Sequence, residues 1–204
     1  MKLHHSLSLA AVAAALALAS GAALAESQYG YLGSGGAAAV TAQARVNLSV
    51  TVPKLILLRV GTAGATQDNL LWTVPLTIPT APASLVDGSN QAATWTGAAP
   101  GVGTITNPAA VSVWAWTNSS GGGSLNYAAT AFAPTGGPAL GDIAVASATG
   151  LAHPSAVLAA AGSAVTFTRN AVQTGSWTYS LGGTPASWAA GAYTSTVTYT
   201  ATSI

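Results

Sequence analysis

Threonine occupies every second position from Thr194 to Thr202, and the positions beside and between them hold Tyr193, Val197, Tyr199 and Ala201, with Ser195 as the polar exception. Successive side chains of a β-strand point to opposite faces, whereas a helix would smear these two sets around its circumference. The run therefore predicts a half-buried closing strand with one polar, uncharged face. A second alternation lies near the other end, where Val40, Ala42, Ala44, Val46, Leu48, Val50 and Val52 alternate with Thr41, Gln43, Arg45, Asn47, Ser49 and Thr51. At about 3.3 Å per residue it reaches roughly 40 Å, about twice a usual strand. It predicts a first strand that either bends between two sheets or extends beyond its own domain.

After Pro53 the apolar run Leu55 to Val60 predicts a strand buried on both faces. Further strands are expected at 69–78, 91–96, 109–117, 124–132, 163–168, 176–181 and 192–202, separated by turn clusters such as Asp87-Gly88-Ser89-Asn90 and Asn118 to Gly123. Short strands at this spacing indicate an all-β sandwich or barrel; the continuous apolar run at Leu55 to Leu58 fits a sandwich core better, and an antiparallel β-sandwich of about 7–10 strands is expected. Only His153 to Gly162, with Pro154 near its start and an Ala-rich middle, favours a short helix.

The first 25 residues have the layout of a secretory signal peptide: Lys2, an apolar run from Leu7 to Ala19, and Ala23-Leu24-Ala25 as the cleavage site. Removing 25 of 204 residues leaves 179, the size of one domain. The expected organisation is a signal peptide at 1–25, a flexible Gly-rich extension at 26–38 and one β-sandwich at 39–204. Export is expected, to a periplasmic, cell-surface or extracellular location. There is no cysteine, so stability must come from an apolar core rather than from disulfides. No later apolar run nears the roughly 20 residues of a spanning helix, so no transmembrane anchor is expected. Beyond residue 25, Arg45, Lys54, Arg59 and Arg169 balance Glu26, Asp68, Asp87 and Asp142, which leaves no electrostatic footprint for nucleic acid.

That inventory is poor in catalytic groups. One histidine, His153, follows residue 25 and reads as an exposed loop residue. The three aspartates sit at turn or cap positions, no G-x-S-x-G elbow occurs, and no cluster of His and carboxylates suggests a metal site. No enzyme activity, cofactor or metal is expected.

Aromatics are the distinctive resource. Trp114 and Trp116 stand two apart and share a strand face, as do Trp177 and Tyr179. On an inner face the Trp114–Trp116 pair would be core, the favoured reading. On an outer face it could stack on sugar rings and serve a carbohydrate-binding or adhesive module.

Gly191, the first of the last 14 residues and followed by an alternating strand, resembles the closing segment of chaperone-usher pilus subunits and related secreted bacterial Ig-like sandwiches. Ser203 stands where those pilins usually carry an aromatic. The resemblance implies an Ig-like fold and a surface or filament subunit, in which the extension of one copy completes the sandwich of another. The residues expected to pair are Val40, Val46, Leu48 and Val50 on one side and Tyr193, Val197 and Tyr199 on the other. Self-association, or assembly with other surface subunits, is the partner this implies.

Overall fold

The computed structural model describes residues 26–64, 66–80 and 85–204; the expected signal peptide lies outside them. The chain divides into two units, Met1–Val52 and Pro53–Ile204. All nine strands among the described residues belong to the second. They are β1 (Ile56–Val60), β2 (Leu76–Thr77), β3 (Gly101–Val102), β4 (Val111–Thr117), β5 (Gly123–Ala129), β6 (Ile143–Ser147), β7 (Val165–Phe167), β8 (Gln173–Leu181) and β9 (Val197–Ser203). Two 3-10 turns, Leu140–Asp142 and Pro185–Ser187, are the helical pieces among the described residues. No helix there is long and apolar enough to cross a membrane.

The fold is all-β, and every strand pair is antiparallel. One sheet has the order β1-β4-β8-β6 and a second the order β7-β5-β9, with β2 and β3 forming a separate small pair. Alternation explains how the two larger sheets form a sandwich-like arrangement. On β4, Val111, Val113, Ala115 and Thr117 are buried while Ser112, Trp114 and Trp116 take the other face. On β5, Leu125 and Tyr127 point inward, as do Trp177 and Tyr179 on β8 and Ile143 and Val145 on β6. Trp177 is fully buried, and its indole N–H donates to the Leu151 carbonyl at 2.9 Å. It is the largest fully buried side chain of a core it shares with Tyr127, Tyr179, Phe167 and smaller aliphatic residues.

The two flanks of this sandwich differ. On one, residues 156–162 lace the sheets together. Val145 N–H donates to Ala156 O (2.8 Å) and Leu158 N–H to Ile143 O (2.9 Å); farther on, Ala129 N–H donates to Ala160 O (2.9 Å) and Gly162 N–H to Tyr127 O (3.2 Å). The same segment thus bonds β6 of one sheet and β5 of the other. On the opposite flank β1 and β9 approach until some of their Cα atoms lie within 8 Å, yet they belong to different sheets and are not hydrogen-bonded to each other.

Several expectations need correction. Residues 153–162 are not helical; tertiary backbone partners on two strands outweigh the helix propensity of an Ala-rich run. β1 is not buried on both faces, because it is an edge strand whose outer residue Leu57 is 55 % exposed. The stretch 69–78 contributes only β2, 91–96 has no strand, and β6 and β3 arise where none was expected. Residues 40–52 form no strand at all.

Candidate functional site

The unpaired edge of β9 is defined by hydrogen-bond parity. Thr130 N–H donates to Thr196 O at 3.0 Å, and Ile204 N–H to Gly122 O at 2.9 Å. With the register Ala129↔Val197 to Gly123↔Ser203, the even-numbered residues of β9 therefore spend their backbone groups on β5. The N–H and C=O of Val197, Tyr199, Ala201 and Ser203 point the other way, where β9 has no strand neighbour among the described residues. The side chains of Val197, Tyr199 and Ala201 pack against the core.

β1 has the same construction. Asn118 N–H donates to Leu55 O (3.3 Å) and Gly61 N–H to Ser112 O (2.7 Å), so odd-numbered residues face β4. Ile56, Leu58 and Val60 direct their backbone groups to the open flank and their side chains against the core. Asn118 anchors the entry to β1, its side-chain amide donating to Pro53 O (2.7 Å) and its Oδ1 accepting from Leu55 N–H (2.8 Å). All six inward residues of the two edges are only half-buried, whereas Ile143 and Val145 on β6 are buried. The core is thinly covered along this flank.

In the N-terminal unit, residues 40–52 are exposed throughout. Val46, Leu48, Val50 and Val52 are 80, 91, 86 and 74 % exposed, and Val40 is exposed too. Four regularly spaced aliphatic side chains in water are a large departure from the scattered exposed hydrophobics of an ordinary surface. Tyr193 lies ahead of β9; its hydroxyl donates to Ala189 O (2.6 Å) and its ring packs on Gly137, a position where any Cβ would collide with that ring.

Under β9 lies a polar network that the sequence did not suggest. His153 is 6 % exposed, so the expected exposed loop histidine is corrected: Pro154 and Ser155 turn the chain so that the imidazole enters an aromatic cage. Its ring stands edge-on to Trp177 at 4.9 Å and 5.1 Å from Tyr127. Nδ1 lies 2.6 Å from Ser155 O and Nε2 2.8 Å from the Tyr199 hydroxyl. Ser155 N–H also lies 3.1 Å from Nδ1; a proton on Nδ1 serves the shorter contact, to the carbonyl, and leaves Nε2 accepting from Tyr199. Tyr199 is in turn hydrogen-bonded to the Tyr179 hydroxyl. Burial raises both phenols, Tyr179 to about 12 and Tyr199 further.

Burial also lowers the His153 pKa from 6.5, only partly countered by the bond to Ser155. Below that ordinary value the unfolded chain takes up a proton that the folded chain resists, so stability falls with pH until the folded-state value is passed. Thermal melts between about pH 7.5 and 4.5 are expected to show this loss, and His153→Gln is expected to flatten its upper part.

Trp114 and Trp116 lie on the outer face of β4 and are half-buried; the core reading does not hold, because Val113, Ala115 and Thr117 take the inward positions. Across the strand pair Leu57 stands opposite Trp116 and Arg59 opposite Trp114. The Arg59 guanidinium carbon sits 3.3 Å from the Trp114 ring centroid, a cation–π stack. It covers one face of the indole, so that face is closed to a sugar. Arg59, hidden in the sequence inside Leu-Ile-Leu-Leu-Arg-Val, could have been found only by knowing its cross-strand partner.

The acidic residues take structural roles. Asp68 Oδ2 accepts from the Thr62 N–H (2.8 Å) and hydroxyl (3.2 Å), and Asp142 Oδ2 from Ala139 N–H (2.8 Å). Among the described residues no group of three His, Asp or Glu side chains could hold a metal ion. Comparison with known proteins finds no match to a family model, a curated sequence or a solved structure.

Proposed function

We propose that the protein is an exported, non-enzymatic surface or filament subunit that assembles by strand pairing, the open edge of β9 accepting residues 40–52 of another copy. The observation that carries this reading is the paired want of partners among the described residues: an edge with four unpaired backbone positions beside a thinly covered core, and an alternating aliphatic segment with exposed side chains. Main-chain bonds would supply affinity, and alternate side chains would supply the apolar cover. β9 carries no Lys, Pro or bulge of the kind that guards an exposed edge.

Geometry sets one condition. A strand seated between two others needs about 9.5 Å, twice the inter-strand spacing, so β1 and β9 must part slightly to admit it. The donor's aliphatic face would then complete the layer formed by Ile56, Leu58 and Val60 with Val197, Tyr199 and Ala201. The arrangement resembles the donor-strand assembly implied by the closing segment from Gly191.

The test is the oligomeric state. Light scattering and electron microscopy of the chain from residue 26 should show concentration-dependent association, abolished by deleting 26–52. A synthetic 40–52 peptide should bind the deleted protein and raise its melting temperature, by about 2.7 kcal/mol of stability at a hundredfold excess over Kd. A strict monomer at high concentration would overturn the reading.

A further inference from the structure

The outer face of the β1–β4 pair, remote in role from the β9 edge, carries an open cleft of about 500 Å³ lined by Arg59, Thr62, Asp68, Asn69, residues 108–112 and Trp114, among others. Its two charged groups are held in different ways. Arg59 lies over the Trp114 ring, and its Nε is buried with no hydrogen-bond partner among the described residues. Asp68 is fixed through Oδ2 by Thr62, which leaves Oδ1 without a described partner. Gly61, at φ +85°, permits this arrangement, since a side chain there would strike the Asp68 carboxylate.

We propose that this cleft binds an acidic saccharide, with the sugar carboxylate on the Arg59 guanidinium and ring hydroxyls on Asp68 and Asn69. A guanidinium held in place by stacking loses little freedom on meeting a carboxylate and presents its planar donors to it. The nearby Asp68 disfavours a dianion such as phosphate and rewards a ligand that brings hydroxyl donors. A uronic or sialic acid supplies one carboxylate and several hydroxyls on a rigid ring. The cleft is open rather than enclosed, so it cannot shelter an acyl chain, and its volume exceeds what a free amino acid would fill.

The experiment is calorimetric titration of the full chain with trigalacturonate and with 3′-sialyllactose, beside the methyl ester of the first and neutral lactose. At least one acid should bind, its uncharged counterpart about tenfold more weakly or not at all. Arg59→Gln should remove the difference between acid and ester, and Asp68→Asn should weaken the acid several-fold. Arg59→Lys, which keeps the charge and loses the planar fork, should fall between. Melting temperatures of all variants establish that they are folded; if Arg59→Gln is not, Arg59→Lys and Asp68→Asn decide. Failure of both acids to bind, equal binding of acid and ester, tighter binding of free glutamate, or undiminished affinity in the folded variants would overturn the proposal. Because the binding is measured at a concentration where association is monitored separately, none of these results bears on strand pairing.

Discussion

Ala201→Pro is expected to abolish self-association while leaving the sandwich folded. Proline lacks the backbone N–H, but at position 201 that group points to the open flank and bonds nothing in β9's own sheet, the setting in which a strand accepts proline. The adjacent Thr200→Pro should do the reverse of what its exposed side chain suggests. Thr200 pairs with Asn126 in the hydrogen-bonded register, so proline there breaks the ladder and leaves a carbonyl unpaired, at about 1–3 kcal/mol. Chemical denaturation separates the two: 200 should lose stability and 201 should keep most of it. In light scattering, 201 should run as a monomer. If Ala201→Pro associates like the parent, pairing does not use this edge.

Trp177→Ala is expected to cost about 3–5 kcal/mol, the range for deleting a large buried aromatic. That is a large share of the roughly 5–15 kcal/mol of a typical domain. The ring is fully buried, stands perpendicular to His153 and packs tilted against Tyr199, and satisfies the Leu151 carbonyl. Its removal leaves a cavity and an unpaired carbonyl together, and it loosens the His153–Tyr199 bond beneath β9. Urea unfolding followed by far-UV circular dichroism would measure it. Trp177→Phe, which keeps most of the volume and loses only the donor, should cost about 1–3 kcal/mol. A loss below 1 kcal/mol for the alanine variant would mean the core is not organised around this side chain.

Why some of this was legible in the sequence and some was not follows from what alternation encodes. The Val111-to-Thr117 run reads as a strand because its two faces differ in character, and it is one. The same pattern places Trp114 and Trp116 on one face without saying which face meets the core; that depends on the opposing sheet. At 40–52 the alternation is as regular, yet no strand forms, because periodicity describes a surface able to pair and supplies no partner. β6 escaped because Ile-Ala-Val-Ala-Ser is short and poor in large or aromatic residues. Residues 153–162 misled through local propensity, which the backbone bonds to β5 and β6 override. His153 gave no local signal, since its partner Tyr199 lies 46 residues on.

The threonines of β9 carry one more consequence. Thr198, Thr200 and Thr202 share the outer face of their sheet with Ser124, Asn126 and Thr166, a patch hydrated by hydroxyls and amides rather than by ions. Debye screening has nothing to act on there. Association through this edge should therefore proceed alike in dilute and in saline surroundings, while any acidic sugar held by Arg59 should be released as salt rises. A sodium chloride titration would thus tell the two surfaces apart in a single sample.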